Sequence, residues 1–383
     1  MNIDIAPIRS RRRARFHELE VAEVRPLTAD SVEVTFTVPA GLQGEYDYLP
    51  GQYVALRAEL DGHEVRRSYS ICRAPLPGPS TSSGTEIAVA IKRDLGGQFS
   101  EWANTHLKAG DRLDVMSPEG TFTTGLPDLD GADQKPAHLA GIAAGSGITP
   151  LMALASHVLA ASDTARFTLV YTNRATQDVM FLEELADLKD RYPARLALHH
   201  VLSREQRAAP LLSGRIDAEK LDAILDRLVP PATVTEWFLC GPFELVALCR
   251  DTLERRGVPA SRIRFELFTT DADTPRVDRG RPVITRAGDQ TVQIEFTLDG
   301  LSSRVESPVA ANEAILDAAL RVRPDVPFAC AGGVCGTCRA RLIEGSVHMT
   351  ENYALEPDEL ERGYVLTCQS HPTSDRVVVD YDV

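Results

Sequence analysis

The sequence predicts a multidomain chain of mixed class, β then α/β then α+β. An antiparallel β-barrel comes first, a doubly wound parallel α/β domain second, and a small α+β domain last. Three observations carry this. Residues 16 to about 125 hold short alternating strands parted by turn residues. Residues 137 to about 268 alternate strand with helix, and four cysteines, Cys330, Cys335, Cys338 and Cys368, mark the last module. A chain of 383 residues is long enough for two or three separate cores.

In the first module, Val32-Glu33-Val34-Thr35-Phe36-Thr37-Val38 alternates with period two, and 52–56 and 86–91 read as further short strands. Turn signals separate them: Pro39-Ala40-Gly41, Asp61-Gly62, the Pro/Gly/Ser-rich stretch 75–84, and Ala109-Gly110-Asp111. This pattern fits a small antiparallel barrel. In the second module, strand 138–144 precedes a helix at 151–161, and strand 167–171 precedes a helix at 181–191. Stretches 195–202 and 237–240 complete the visible strands of a parallel sheet. A polar stretch with Asp271, Asp273, Pro275 and Pro282 reads as a linker. Beyond it, strands at 291–297 and 304–306 and a helix at 311–320 lead into the cysteine loop. The expected divisions are a disordered basic tail at 1–15, the barrel at 16–126, the α/β domain at 137–269, the linker at 270–282, and the last module at 283–383.

Composition narrows the function classes. Apolar content of 43% and charged content of 25% are ordinary for a soluble globular protein. A net charge of −14 argues against a nucleic-acid partner. From Arg286 onward there are 8 Lys and Arg against 16 Asp and Glu, an acidity that suits steering towards a basic patch and equally suits plain solubility. The run Arg11-Arg12-Arg13 has no apolar stretch after it, so no export signal is expected. Residues 136–162 lack charge, but Gly145-Ser146-Gly147-Ile148-Thr149-Pro150 interrupts them, so a strand, turn and helix are expected rather than a membrane span. A cytoplasmic protein with no membrane partner is the expectation.

Cys330-Ala331-Gly332-Gly333-Val334-Cys335-Gly336-Thr337-Cys338 is C-x4-C-x2-C, and Cys368 follows Tyr364-Val365-Leu366-Thr367. That is the plant-type spacing for a [2Fe–2S] cluster held by four thiolates. The small residues let the loop wrap an inorganic core and aim backbone N–H groups at its sulfurs. Zinc sites favour paired C-x2-C units, of which one exists here. A disulfide framework does not suit a 383-residue chain with seven cysteines.

Arg67-Ser68-Tyr69-Ser70 has the parts a flavin needs: an aromatic ring for the isoalloxazine face, a Ser70 hydroxyl near N5, and an Arg67 cation for the pyrophosphate. Downstream, Gly96-Gly97-Gln98-Phe99-Ser100 opens a helical stretch at 99–107, where backbone N–H groups can approach phosphate. Lys92, Gly97, Gln98 and Ser100 join the expected FAD ligands.

Gly145, Ser146, Gly147, Thr149 and Pro150 form a G-x-G-x-x-P turn between strand and helix, suited to a diphosphate, with Thr149 as helix cap and Pro150 at the first helical position. No Lys-Ser/Thr pair follows, which excludes a P-loop. The next strand ends Asn173-Arg174 instead of in an acidic residue, and Ser203-Arg204 follows the strand after that. Two cations here suit a 2′-phosphate, hence NADPH over NADH. The alternative is that both arginines are solvated surface cations. Cys240-Gly241-Pro242 ends a strand where Cys240 can approach the nicotinamide, and Glu266 and Phe268 can reach back to the flavin. Tyr69, Ser70 and Cys240 are the catalytic candidates. Cys72 and Cys249 read as small buried hydrophobes.

These motifs, in this order, resemble the ferredoxin–NADP reductase superfamily carrying a C-terminal plant-type ferredoxin domain. The resemblance covers almost the whole chain beyond the tail, and it implies a flavin-binding barrel, an NADP-binding domain and a β-grasp ferredoxin domain. It further implies hydride transfer from NADPH to FAD, then single electrons through the cluster to an oxygenase. The segments 185–193, 201–205, 212–217 and 345–356, with Gly363-Tyr364-Val365-Leu366-Thr367-Cys368-Gln369, are similar to the reductase subunits of ring-1,2-phenylacetyl-CoA epoxidases. Such subunits feed a di-iron oxygenase in aerobic phenylacetate breakdown. The chain departs from that family in its arginine-rich tail and in Phe243-Glu244-Leu245 after the Cys240 turn. Two other readings stay open: a reductase for a Rieske-type, steroid or aromatic oxygenase, and a non-catalytic iron–sulfur redox sensor.

Overall fold

A computed structural model describes residues 15–75, 85–126, 128–130, 136–268, 283, 289–323, 326–328, 332–333, 336–355 and 357–383. They fall into two compact units, one within 18–276 and one that joins 277–383 with the residues up to His17. The expected linker at 270–282, Cys330, Cys335 and all of the basic tail but Arg15 lie outside the described residues.

The larger unit begins with six strands: β1 (Phe16–Thr28), β2 (Ser31–Val38), β3 (Tyr53–Leu60), β4 (His63–Ser70), β5 (Thr85–Lys92) and, after helix α1 (Gln98–Thr105), β6 (Arg112–Met116). Their order is β4-β3-β6-β1-β2-β5. The two edges meet at an isolated Ile71–Val89 bridge, and Cys72 N donates to Ala88 O at 2.9 Å, so the sheet closes on itself. Closure removes the exposed strand edges of an open sheet. Val34, Phe36, Val54, Leu56, Ile87 and Val89 fill the interior.

The parallel domain follows as β7 (His138–Ala144), α2 (Ile148–Ala161), β8 (Arg166–Asn173), α3 (Leu182–Arg191), β9 (Leu196–Leu202), α4 (Ala218–Arg227), β10 (Glu236–Gly241), α5 (Phe243–Arg255) and β11 (Ile263–Leu267). The sheet order is β11-β10-β7-β8-β9, so the winding reverses between β7 and β10. That reversal opens a crevice beyond the C-terminal ends of these two strands. Barrel and sheet share one apolar core: Cys72, Ala88 and Phe122 pack with Leu139, Leu154 and Phe238, and the Phe122 and Phe238 rings meet edge to face at 5.3 Å.

The smaller unit contains β12 (Thr291–Leu298), β13 (Leu301–Pro308), α6 (Ile315–Leu320), β14 (Arg339–Glu344), β15 (Val347–Met349), α7 (Pro357–Glu361), β16 (Tyr364–Leu366), β17 (Ser370–Pro372) and β18 (Arg376–Asp380). The five-stranded sheet runs β13-β12-β18-β14-β16, with β18 parallel to β12 and the other pairs antiparallel. Asp299 and Gly300 both take positive φ, 58° and 68°, the demand of a two-residue hairpin turn. This tight turn extends the strand expected at 304–306 to the whole of β13. The helix expected at 311–320 is shorter. Asn312 adopts φ 46°, which breaks the chain after a 3₁₀ turn, and α6 starts at Ile315.

Candidate functional site

The crevice of the parallel sheet gathers the glycine turn after β7 and the end of β10. A Cβ on Gly147 would stand 2.2 Å from Cys240 O and 2.9 Å from Gly241 N, so the two segments touch through bare backbone. Tyr171 of β8 donates its hydroxyl to Gly145 O at 2.9 Å and fixes the turn from the side. Thr149 differs from its expected role. The helix begins at Ile148, so Thr149 lies inside the first turn, is buried, and donates back to Ser146 O at 3.0 Å. The N-cap is Gly147, with no side-chain cap, and Pro150 is buried as the third helical residue, not the first as expected, because the helix starts two residues earlier. This leaves the first N–H groups of α2 without a side-chain acceptor, as a bound diphosphate requires.

At the end of β8, the backbone joins the two expected cations. Ser203 N donates to Asn173 O at 2.9 Å and Arg204 N to Arg174 O at 2.7 Å. Asn173 is buried, and its amide nitrogen has no acceptor among the described residues. A buried donor left over beside two arginines fits a ligand rich in oxygen acceptors. Arg174 pairs with Asp178 at 3.1 Å and with Asp30 of the barrel at 3.4 Å. Lys92, expected among the FAD ligands, holds the same Asp30 at 2.7 Å.

On the barrel side, Ser70 is buried at the end of β4 and donates to Glu266 Oε2 at 3.2 Å. Glu266 stands opposite Cys240 in the parallel β10–β11 register. Three sequence-predicted residues from three strands therefore converge where barrel and sheet meet. Burial pushes the Cys240 thiol well up, and the nearby Glu266 carboxylate pushes it further, so Cys240 is a neutral thiol and not a thiolate nucleophile. Tyr69 is half-buried with its ring 5.7 Å from Phe99, and Phe268 packs on the shared core. Arg67 shares Tyr69's face of β4, two residues back, and donates to Arg66 O at 2.8 Å. Gly97 caps α1, Gln98 is exposed, and Ser100 is buried, accepting from Asp94 N at 3.1 Å and donating to Gly97 O at 3.3 Å. Ser68, next to this group, has a buried hydroxyl oxygen without a partner among the described residues. The aromatic face, the leftover hydroxyl and the cation fit a flavin.

Within the smaller unit, β14 and β16 pair antiparallel with Arg339 opposite Leu366, which brings Cys338 and Thr367 side by side. Thr367 donates to Cys338 O from its backbone at 3.2 Å and from its hydroxyl at 2.8 Å. Cys338 and Cys368 are both buried in the apolar core. Gly333 takes φ 78°, and a Cβ added there would stand 3.0 Å from Glu351 O, so this position suits glycine. Two buried cysteines at one sheet end fit half of a four-cysteine cluster site, whose iron would hold them as thiolates.

Sequence reading missed a second set of residues. Glu33, almost fully buried, accepts from Arg73 Nε at 2.7 Å and from Arg25 Nη2 at 2.7 Å, and Arg25 also pairs with Glu184 of α3. With Asp30–Arg174, this makes two ionic bridges from barrel to parallel domain. The turn Thr28-Ala29-Asp30-Ser31 carries no local signal of either.

Comparison with known families assigns each module. An oxidoreductase FAD-binding domain matches residues 18–124, an oxidoreductase NAD-binding domain matches 142–251, and a 2Fe-2S iron-sulfur cluster binding domain matches 296–373. The fold and these modules define a pyridine-nucleotide-dependent flavin and iron–sulfur oxidoreductase, an electron-transfer reductase. Over 96% of this chain and 98% of its relative, the sequence is 44% identical to a subunit of the 1,2-phenylacetyl-CoA epoxidase of Escherichia coli. It is 35% identical to the ferredoxin reductase component of 3-ketosteroid-9-alpha-monooxygenase of Mycolicibacterium smegmatis, over 95% and 97% of the two chains. The chain belongs to this family of oxygenase reductase components, so an oxygenase partner is implied. The solved phthalate dioxygenase reductase shares the fold, with a TM-score of 0.56 over 95% of this chain and 98% of that one, at 22% identity. Among the described residues, no helix is long and apolar enough to cross a membrane.

Proposed function

We propose that this chain is the reductase component of a phenylacetyl-CoA epoxidase, carrying electrons from NADPH through FAD and a [2Fe–2S] cluster to a di-iron oxygenase in the cytoplasm. The observation that carries it is the 44% identity along 96% of the chain to a component of that enzyme, against 35% for the steroid system. When bound, the flavin supplies the exchange between a hydride and single electrons that the cluster can relay. The chain's own residues bind and orient. Tyr69 covers a flavin face, Arg67, Lys92, Gly97, Gln98 and Ser100 serve its phosphates and ribityl chain, and Ser70 and Glu266 hold a proton site near N5. Gly145, Ser146, Gly147, Gly241 and Pro242 shape the diphosphate cleft, with Thr149 and Pro150 packing the helix that borders it. Cys240 borders the nicotinamide and Phe268 reaches back to the flavin, while Asn173, Arg174, Ser203 and Arg204 take the 2′-phosphate end. Cys330, Cys335, Cys338 and Cys368 hold the cluster, in a module spanning 283–383.

The test mixes the purified protein with a phenylacetyl-CoA epoxidase oxygenase complex, NADPH and air, and follows phenylacetyl-CoA loss. Loss that depends on this chain is expected. NADPH oxidation with no substrate loss would move the partner to another oxygenase.

A further inference from the structure

We propose, resting on the reading of Arg174 and Arg204 as the 2′-phosphate cations, that Asp30 of the flavin barrel limits how strongly the nucleotide site favours NADPH over NADH. Its carboxylate is a counter-charge reaching across from another domain.

Asp30 sits in the turn between β1 and β2. Its Oδ1 accepts from Thr28 Oγ1 at 2.8 Å and from Lys92 Nζ at 2.7 Å, while Oδ2 accepts from Arg174 Nη2 at 3.4 Å. Burial opposes ionisation of this carboxyl, yet the hydrogen bonds from Lys92 and Thr28 and the charges of Lys92 and Arg174 hold it below its ordinary value. It is therefore an anion at neutral pH. The second carboxylate on Arg174, Asp178 at 3.1 Å, comes from the same loop and also accepts from Ala175 N at 3.1 Å. Glu205, the next carboxylate along, is occupied by Thr176 N and Oγ1, both at 2.7 Å.

Two opposite effects are conceivable for Asp30: it could orient Arg174, or it could neutralise it. The geometry decides between them. Asp178 is the shorter contact and is anchored within Arg174's own loop, so orientation survives without Asp30. What Asp30 adds is a negative charge. A 2′-phosphate carries a charge of about −1.5 to −2. Drawn to Arg174, it comes within a few ångströms of the Asp30 oxygen, a like charge. A 2′-hydroxyl meets no such repulsion. Asp30 therefore weakens NADPH selectively. Both Arg174 and Asp30 are partly solvated, so the effect is that of a screened pair, roughly two- to fivefold.

The experiment measures kcat/KM for NADPH and for NADH in the full flavin- and cluster-loaded protein, with ferricyanide as acceptor. Wild type, Asp30→Asn and Arg174→Ala are compared, with Asp30→Ser as a second way to remove the charge from a turn that tolerates serine. Removing the Asp30 charge is expected to raise the NADPH:NADH ratio two- to fivefold, and Arg174→Ala to lower it. If Arg174→Ala lowers the ratio while both Asp30 variants leave it unchanged or lower it, the inference is overturned and the assignment of Arg174 stands. If Arg174→Ala leaves the ratio unchanged, the assignment itself fails, and the inference with it.

Discussion

Gly147 and Glu33 show how single residues set the two sides of the larger unit. A methyl group on Gly147 would stand 2.2 Å from Cys240 O and 2.5 Å from its carbonyl carbon, both backbone atoms that no rotamer change can move. Gly147→Ala must push β10 away from the turn, at about 1–3 kcal/mol by the usual cost of overpacking. A lower melting temperature and a raised KM for NADPH are expected, with flavin content unchanged. Glu33 works by charge. Burial opposes its ionisation, but hydrogen bonds and charges from Arg73 and Arg25 outweigh that and hold the carboxyl below its ordinary value of 4.5. A lowered folded value contributes stability above pH 4.5, and that stability is lost as pH falls through the lowered value. Glu33→Gln should destabilise the protein by about 1–3 kcal/mol at pH 7, through loss of the charge-assisted hydrogen bonds that the buried carboxylate accepts from the partly exposed Arg73 and Arg25. The gap to wild type should shrink in acid melts. A gap that stayed constant down to pH 3 would remove the ionised pair as its cause.

At the scale of elements, the turn between β7 and α2 is shaped by residues outside it. Tyr171 reaches over from β8 to hold Gly145 O, so Tyr171→Phe should loosen the glycine turn proposed to cradle the diphosphate while leaving the sheet intact. The expected result is a several-fold rise in nucleotide KM with kcat nearly constant, since one neutral hydrogen bond contributes about 0.5–1.5 kcal/mol. An unchanged KM would show that the turn holds its shape without the phenol. Elements also explain what sequence reading could reach. The strands of the parallel domain, the glycine turn and the Arg67-Ser68-Tyr69-Ser70 motif are local patterns, so sequence alone could place them along the chain. Thr149 misled because a threonine before an apolar helix looks like a cap, and only the φ/ψ of Gly147 shows that the helix has already started. Asn312 misled for a similar reason, since a left-handed residue inside an apolar run leaves no sign in periodicity. Asp30 and Glu184 were invisible as site residues because Arg174 and Arg25 lie far along the chain from them and meet them through packing alone, whereas Glu33 faces Arg25 across the β1–β2 hairpin and owes only Arg73 to the closure of the barrel.

For the whole molecule, the described residues separate the chemistry by unit. The Ser70, Cys240 and Glu266 cluster and the glycine turn all lie within 18–276, while Cys338 and Cys368 lie within 277–383. Disabling the cluster should therefore leave nucleotide binding and flavin reduction untouched. The most direct measurement takes a Cys335→Ser variant, adds NADPH without oxygen, and follows flavin absorbance in a stopped-flow instrument. The oxygenase partner is then supplied and its turnover read. Flavin bleaching at the wild-type rate, with turnover by the oxygenase abolished, is the expected result. Loss of flavin bleaching in a folded variant, or oxygenase turnover that persists, would contradict the order of nucleotide, flavin and cluster.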